Sequence, residues 1–337
     1  MSQEWVTTLP RLAPTADFVP WDEVGDRPNI VVDGPLREGT ALGLSHWPDG
    51  GTPPPLAADT STEIALRYVD QPAGGPEVAV VTNNHFDEDG LLAAWVVLQR
   101  PGPGPRRALA AAAAEAGDFH TWSDPWAARC AIALMAMAER TTTPFPEVIR
   151  ALNRAGGRDP AGAICRALLP RVGELLDDPE RFRRLWAPRW ERVERDLARL
   201  DSGEATIEDV PDADLALIRA PWPLDRLATH PRTGRMRLLT ATPDGMLGLE
   251  HRYETWVRYV SRPLVPRRDL TPLLPDLQAL ERGHGVWRFE GVEQPLARLA
   301  VVDANGSPAR STIDPARVVE LLLRRAEPTR DCLDFPV

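Results

Sequence analysis

A run of β-branched residues that leads through a polar turn into an apolar run constrains the fold of this chain most. Glu77–Thr82 is bounded by Gly75-Pro76 and by Asn83-Asn84, and its Val-rich sequence is typical of a buried strand. Leu91–Leu98 follows after a short polar segment and is apolar throughout, which favours a buried helix. Strand, polar turn and helix form the unit of a doubly wound α/β sheet, whose functional groups lie at the carboxyl ends of its strands.

Similar elements are predicted before and after this unit. Residues 1–28 are rich in Pro, Trp and Asp and are expected to be irregular, whereas Asn29–Asp33 and Ala41–His46 are predicted strands. Thr60–Glu63 matches a capping box, which predicts that a helix begins there. The pattern from residue 108 to residue 200 is mostly helical.

The last third of the chain combines strands with a closing helix. Met236–Thr242 and Met246–His251 flank the turn residues Pro243-Asp244-Gly245 and predict a hairpin, and a helix is predicted over Pro315–Arg325. We therefore predict an α/β fold with an N-terminal parallel sheet and flanking helices, a helical middle, and a smaller α+β C-terminal domain. The predicted domains are residues 1–204 and residues 205–337.

Charge and composition exclude several classes of function. The chain has 337 residues and a formal net charge of −10, which argues against binding to long nucleic acids or anionic membranes, because both need a positive field. All 39 basic residues are arginine, so no lysine is present for a P-loop or a Schiff base. The three cysteines, Cys130, Cys165 and Cys332, are far apart and predict neither a cysteine zinc site nor a disulfide framework.

Targeting and membrane signals are weak in this sequence. Its first residues lack the basic and apolar regions of a signal peptide, and its apolar runs, such as Leu109–Ala114, are too short to span a bilayer. We expect a cytoplasmic protein that has no membrane partner.

The polar segment after the Val-rich strand carries the strongest chemical signal. His85, Asp87 and Asp89 occupy alternating positions, so in an extended segment their side chains point the same way. Imidazole and carboxylate groups together are suitable ligands for Mn²⁺ or Mg²⁺. The alternative is that the acidic residues simply complement the dipole of the helix that follows.

The same segment resembles the first motif of the DHH phosphoesterase superfamily. Phe86–Trp95 follows a buried strand and contains Asp87-x-Asp89-Gly90 at the start of a helix rich in small residues. The resemblance implies that Asp87 and Asp89 bind catalytic Mn²⁺ or Mg²⁺ in a site for two ions. His85 is a displaced match to an upstream histidine of that family. The chain contains no Asp-His-His tripeptide, so the other ligands have no motif to mark them.

A second resemblance extends over most of the chain. Residues 44–48, 58–63, 81–90, 116–119 and 253–262 resemble an uncharacterised actinobacterial family that is known only as a domain of unknown function. No activity is implied by it.

Three further candidate metal ligands lie at the ends of predicted strands and helices. Asp118 stands where the second motif of the DHH superfamily supplies a bridging aspartate, His46 ends a predicted strand, and Asp33 ends another. Together with His85, Asp87 and Asp89 they would form a two-metal site, in which Asp89 and His46 are also predicted to act in catalysis. Asp59 is interpreted as a residue at the start of a helix.

Arginine is the only available cation for a phosphate group, and its planar guanidinium suits bidentate contacts. Arg262 and Arg267 are the predicted substrate-binding residues. The predicted function is a metal-dependent hydrolase that attacks a small phosphate ester, or a short oligonucleotide, with a metal-activated water. Two alternatives stay open: a haloacid dehalogenase-type phosphatase, which normally requires a lysine, and a DHH-like protein that binds a ligand without catalysis.

Overall fold

The fold is described from a computed structural model, which describes residues 9–72, 74–99, 102–155 and 159–325 and the backbone of residues 329–330. The chain forms two compact units: residues up to Trp190 together with Arg258–Arg262 make the first, and the rest makes the second. The predicted domain boundary between residues 204 and 205 stays a prediction.

The first unit contains a parallel sheet of four strands. The strands are β1 (Arg11–Phe18), β2 (Asn29–Val32), β3 (Thr40–Leu44) and β4 (Glu77–Thr82), and their order is β1-β4-β2-β3. Strand β4 has the predicted bounds, and β2 and β3 confirm the two shorter predictions. Strand β1 lies in the segment expected to be irregular; that expectation was wrong because pairing with β4 overrides the unfavourable strand propensity of Pro14 and Asp17.

Seven helices complete the described residues up to Ser202: α1 (Ser61–Val69), α2 (Glu88–Leu98), α3 (Arg107–Asp118), α4 (Pro125–Ala138), α5 (Pro146–Arg154), α6 (Ala161–Asp177) and α7 (Arg183–Ser202). The predicted capping box is confirmed, because the Thr60 hydroxyl accepts a hydrogen bond from the main-chain N–H of Glu63 and the Glu63 carboxylate accepts one from that of Thr60. Helix α2 is buried from Glu88 to Val97 and packs against α1, α3 and α6. Its burial fixes the polar segment that precedes it.

The second unit contains a mixed sheet of six strands: β5 (Thr206–Val210), β6 (Leu215–Arg219), β7 (Arg237–Ala241), β8 (Leu247–His251), β10 (Val286–Phe289) and β11 (Arg298–Val302), ordered β10-β11-β8-β7-β6-β5. Strands β7 and β8 form the predicted hairpin, and Gly245 takes the left-handed conformation that its turn requires. A two-stranded pair, β9 (Arg267–Arg268) with β12 (Thr329–Arg330), accompanies the sheet.

Within its described residues, the second unit also contains α8 (Arg226–Thr229), α9 (Leu274–Leu280) and α10 (Pro315–Arg324), in addition to residues 191–202 of α7. Leu277 of α9 and Val318 and Leu322 of α10 are in one apolar core with inward residues of the six-stranded sheet, such as Leu239 and Leu299. The predicted α/β class, with a parallel N-terminal sheet, a helical middle and strands combined with helices at the C-terminus, is thus confirmed, and the C-terminal sheet is mixed. In the described part of the chain, no helix has both the length and the apolar character needed to cross a bilayer.

Candidate metal centre

Asp33 lies at the carboxyl end of β2, with its carboxylate between two imidazoles. Its side chain is 1% exposed, and its backbone takes a left-handed conformation (φ 46°) that Asp tolerates better than most residues. One oxygen, Oδ1, is 3.4 Å from His46 Nε2, and the other, Oδ2, is 3.3 Å from His85 Nε2. The parallel sheet explains this meeting, because His46 and His85 follow the carboxyl ends of the two strands that pair with β2.

Two groups of possible metal ligands share this carboxylate. We name Asp33, His46 and Asp89 the inner cluster, and Asp33, His85 and Asp87 the outer cluster. Within each cluster, one ligand atom per residue lies within 4.8 Å of the others. The inner cluster is fully buried, whereas the His85 and Asp87 side chains are 28% and 26% exposed. A small solute could therefore reach the outer cluster.

Asp118, the last residue of α3, extends the inner cluster. Its carboxylate Oδ2 is 3.3 Å from His46 Nε2, and its side chain is only 4% exposed. Among the described residues, neither Asp118 Oδ2 nor Asp33 Oδ2 accepts a hydrogen bond. Buried carboxylate oxygens are normally hydrogen-bonded or bound to a metal, so these two oxygens fit a site for a cation.

The orientation of His46 is fixed by a main-chain contact. Its Nδ1 lies 2.6 Å from the carbonyl oxygen of Asp59, which can only accept, so Nδ1 must carry a hydrogen. In the neutral imidazole this leaves the lone pair on Nε2, the atom that faces Asp33, Asp89 and Asp118. A carbonyl that orients the far nitrogen in this way is typical of histidines that bind metals.

The N-terminus of α1 holds Asp89. The main-chain N–H groups of Ser61 and Thr62 donate to its two carboxylate oxygens over 2.6 and 2.7 Å. The Ser61 hydroxyl also donates to Asp33 Oδ1 over 2.7 Å. Helix N-termini carry unpaired N–H groups and a positive partial charge, so α1 fixes two ligands of the inner cluster.

The outer cluster is organised by the turn between β4 and α2. His85 Nε2 donates to Asp87 Oδ2 over 2.6 Å, and Nδ1 lies 3.0 Å from Asn84 Oδ1. Asp87 is the N-cap of α2, where its Oδ1 accepts the N–H of Gly90. The ring of Trp47 lies 5.1 Å from that of His85 and borders the cluster.

The sequence prediction that His85, Asp87 and Asp89 converge on one point needs a correction. His85 and Asp87 belong to the outer cluster, whereas Asp89 belongs to the inner one. The alternation ends because α2 begins at Glu88, after which side chains follow the helical period. Asp33 joins the two groups instead.

Charge in the clusters is unbalanced when no cation is bound. Burial, together with the charge of Asp33, raises the pKa of Asp89 to about 7, and burial with the charge of Asp89 raises the pKa of Asp118 well above its usual range. Burial alone would raise the pKa of Asp33, but His46 and His85 outweigh it and hold that pKa below its usual range. Burial likewise opposes the charged form of His85, yet Asp87 and Asp33 raise its pKa to about 11. A divalent cation would replace these protons and offset the crowded carboxylates.

A segment distant in sequence borders the inner cluster within the first unit. Arg258 donates its N–H to the His46 carbonyl over 2.7 Å, and the N–H groups of Val260 and Ser261 donate to Asp59 Oδ1 over 2.7 and 2.9 Å. Asp59 therefore orients His46 with its carbonyl and holds this segment with its carboxylate. We refer to Arg258–Arg262 as the 258–262 segment.

The two predicted substrate arginines lie in different units. Arg262 ends the 258–262 segment, with its guanidinium 4.5 Å above the ring of Tyr259, which in turn contacts Phe119 beside Asp118. Arg267 belongs to the second unit, is 1% exposed, and donates to main-chain carbonyls there. Those contacts indicate a structural role for Arg267.

Several residues around the clusters were not identified from the sequence as parts of a site. The capping box predicted the start of α1, but nothing in the pattern indicated that the N–H groups of Ser61 and Thr62 would hold Asp89. The sequence indicates only that Asp59 lies near a helix start, because a contact through a main-chain carbonyl leaves no signal in residue type. Glu88 is buried between two predicted ligands, and no sequence pattern marks it as part of a site.

Comparison with known proteins gives a family but no activity. The model of a family described as "Family of unknown function (DUF6687)" matches residues 14–322, which is most of the chain. No curated protein matches the chain.

Proposed function

The chain belongs to this family of unknown function, and from the geometry of its metal centre we propose that it is a metal-dependent hydrolase of phosphate esters. The proposed site holds two divalent cations, Mn²⁺ or Mg²⁺. One would lie in the inner cluster with Asp118, and the other in the outer cluster.

The observation that carries the proposal is the position of Asp33 between the two clusters. Sites that bind two ions hold them about 3.5–4 Å apart, which a shared carboxylate can achieve. The ligand set of two imidazoles and four carboxylates suits Mn²⁺ or Mg²⁺, because these ions favour oxygen ligands. Bound ions of this kind supply an activated water and polarise a phosphoryl oxygen.

The protein's own groups would orient the reaction. Asp59 keeps His46 Nε2 directed at the carboxylates, and the amides of α1 keep Asp89 in place. The more exposed side of the outer cluster gives a substrate its access. Arg262 is proposed to contact a phosphate oxygen, since it ends the segment that borders the centre.

A distant relationship to the DHH phosphoesterase superfamily is part of the proposal. It is supported by the order of a buried strand β4, then Asp87-x-Asp89-Gly90, then helix α2, at the end of a parallel sheet. We also propose a small phosphorylated substrate or a short oligonucleotide, because the net charge of −10 disfavours long nucleic acid. The free, buried cysteines Cys130 and Cys165 are compatible with the cytoplasmic location that we propose.

The test combines metal content with hydrolysis. Protein freed of metal by a chelator is titrated with Mn²⁺, its bound metal is counted by mass spectrometry, and hydrolysis of bis(p-nitrophenyl) phosphate is followed. We expect two ions per chain in the wild type and in Asp26→Asn, whose exposed side chain is a matched control. Asp33→Asn should bind at most one ion and lose activity by at least about 100-fold.

The outcomes separate three interpretations. Two bound ions with activity that Asp33→Asn abolishes supports the hydrolase. Ions bound without turnover of any phosphate ester favour the non-catalytic ligand-binding protein. A wild type that binds no divalent cation refutes both the metal centre and the hydrolase.

A further inference from the structure

The six-stranded sheet of the second unit has a second face, opposite the one that packs against α9 and α10. Side chains alternate between the faces, so Leu239 and Leu249 enter the core while Leu238 and Thr240 point the other way. Gly248 occupies a position of that second face. On that second face is a cavity of about 290 Å³. Its volume is close to the lower limit of about 300 Å³ for ligand pockets, so it suits a small molecule.

Apolar side chains form most of the cavity. Its floor includes a row of four residues that the strand register places side by side: Ile218, Thr240, Gly248 and Ala300. Leu238, two residues before Thr240 on the same face, also lines it. Its other lining residues include Pro223, Leu224, Met246 and Pro308. The body of a ligand in this cavity would therefore be apolar.

Gly248 keeps the floor of the cavity open. A Cβ atom at this position would meet only the Leu299 carbonyl oxygen at 3.6 Å and the Ala300 Cβ at 3.7 Å, which are ordinary contacts. Neither packing nor backbone conformation thus requires a glycine here, and Gly usually weakens a strand. What the glycine provides is empty volume above the sheet.

The charged residues of the lining leave a positive excess. They are Arg226, Arg298 and Glu250. Glu250 accepts two hydrogen bonds from Arg226, at 3.1 and 2.6 Å, whereas the Arg298 Nε is 3.7 Å away from it. Arg226 thus pairs with Glu250, and the 47% exposed Arg298 side chain retains donors for an anion.

We propose that this cavity binds a small carboxylic acid with an apolar body, whose carboxylate contacts Arg298 and whose body lies over Gly248. The site is separate from the proposed metal centre and does not depend on its activity. Charge complementarity selects the anion, and the apolar floor selects the body.

The test uses octanoate as the probe and the full chain without metal. Binding is measured by calorimetry and by saturation-transfer NMR, with 1-octanol as a neutral probe of the same length. Arg298→Gln should weaken octanoate binding at least about tenfold but leave 1-octanol unaffected. Gly248→Val should abolish binding of both, because its methyl groups fill the cavity. Arg317→Gln removes an exposed, paired arginine on α10 and should change neither.

Each outcome decides the proposal. If Gly248→Val does not fold, Gly248→Ala and the exposed Arg298→Gln still test it, since thermal melting shows whether each is folded. Octanoate that binds Arg298→Gln or Gly248→Ala as tightly as the wild type would place its site elsewhere. No saturation transfer to octanoate at millimolar concentration in the wild type would also overturn the proposal.

Discussion

Replacing Asp118 by Asn should separate metal binding from the stability of the metal-free protein. The Asp118 carboxyl is buried and its pKa is raised well above the usual range, first by burial and then by the charge of Asp89, so the metal-free folded protein favours its neutral form. An amide of the same shape should then change the free energy of unfolding by less than about 0.5 kcal/mol. Binding of a cation, however, requires the carboxylate.

The stabilisation by metal that Asp118→Asn should lose can be calculated from the linkage between binding and folding. A metal present at about 1,000 times its dissociation constant stabilises the folded state by about 4.1 kcal/mol. If Asp118→Asn weakens affinity about 100-fold, the remaining stabilisation at the same metal concentration is about 1.4 kcal/mol. The difference of about 2.7 kcal/mol corresponds to roughly 5–10 °C in the metal-dependent rise of Tm for a unit of this size.

The assay is thermal melting at pH 6 with chelator and with Mn²⁺, for the wild type, Asp118→Asn and Asp89→Asn. Asp89→Asn should also destabilise the metal-free protein by about 1–3 kcal/mol, because the Ser61 and Thr62 N–H groups each donate to a different oxygen of Asp89 and an amide keeps only one of these oxygens. An equal metal-dependent rise in Tm for the wild type and Asp118→Asn would show that Asp118 is not a ligand. A large loss of stability in metal-free Asp118→Asn would refute the assigned protonation state.

Two further predictions concern neighbours of the ligands. Burial and the charge of Asp87 raise the pKa of Glu88 to about 8, so the folded state favours the neutral acid. The free energy of unfolding of the metal-free protein should therefore fall by up to about 5 kcal/mol as the pH rises from below 4.5 to above 8. In thermal melts, Glu88→Gln should show a flatter decline of stability with pH. Asp59→Ala removes the acceptor for the N–H groups of Val260 and Ser261 but keeps the carbonyl that orients His46. Trypsin should therefore cleave the 258–262 segment about tenfold faster, while the affinity for Mn²⁺ stays unchanged. Asp59→Asn keeps an acceptor and should resemble the wild type.

Much of the fold could be predicted because local pattern and tertiary structure agree. Glu77–Thr82 is β-branched and bounded by turn residues, and it forms β4 with those bounds. The turn at Pro243–Gly245 requires a glycine that the sequence supplies. Strand β1 was missed because its Pro and Asp residues are tolerated only through pairing with a neighbour distant in sequence.

The candidate site was harder to predict than the fold. Asp33 and His46 end predicted strands and His85 follows one, and the structure brings all three together. Which ligands group with which depends on where α2 begins and how α1 approaches, and neither follows from residue spacing. Arg267 shows the reverse case, since a residue predicted to bind the substrate is buried among main-chain carbonyls.

The discontinuity of the first unit bears on how such a protein can be made and inherited. The N–H groups that bind the His46 carbonyl and the Asp59 carboxylate come from residues 258–262, outside the first long stretch of chain. A nascent chain that has emerged from the ribosome only to residue 190 therefore contains every predicted ligand but not the segment that borders them. A recombination event that exchanged residues 191–337 for another domain would remove that segment too. The two units should therefore pass through evolution as one piece.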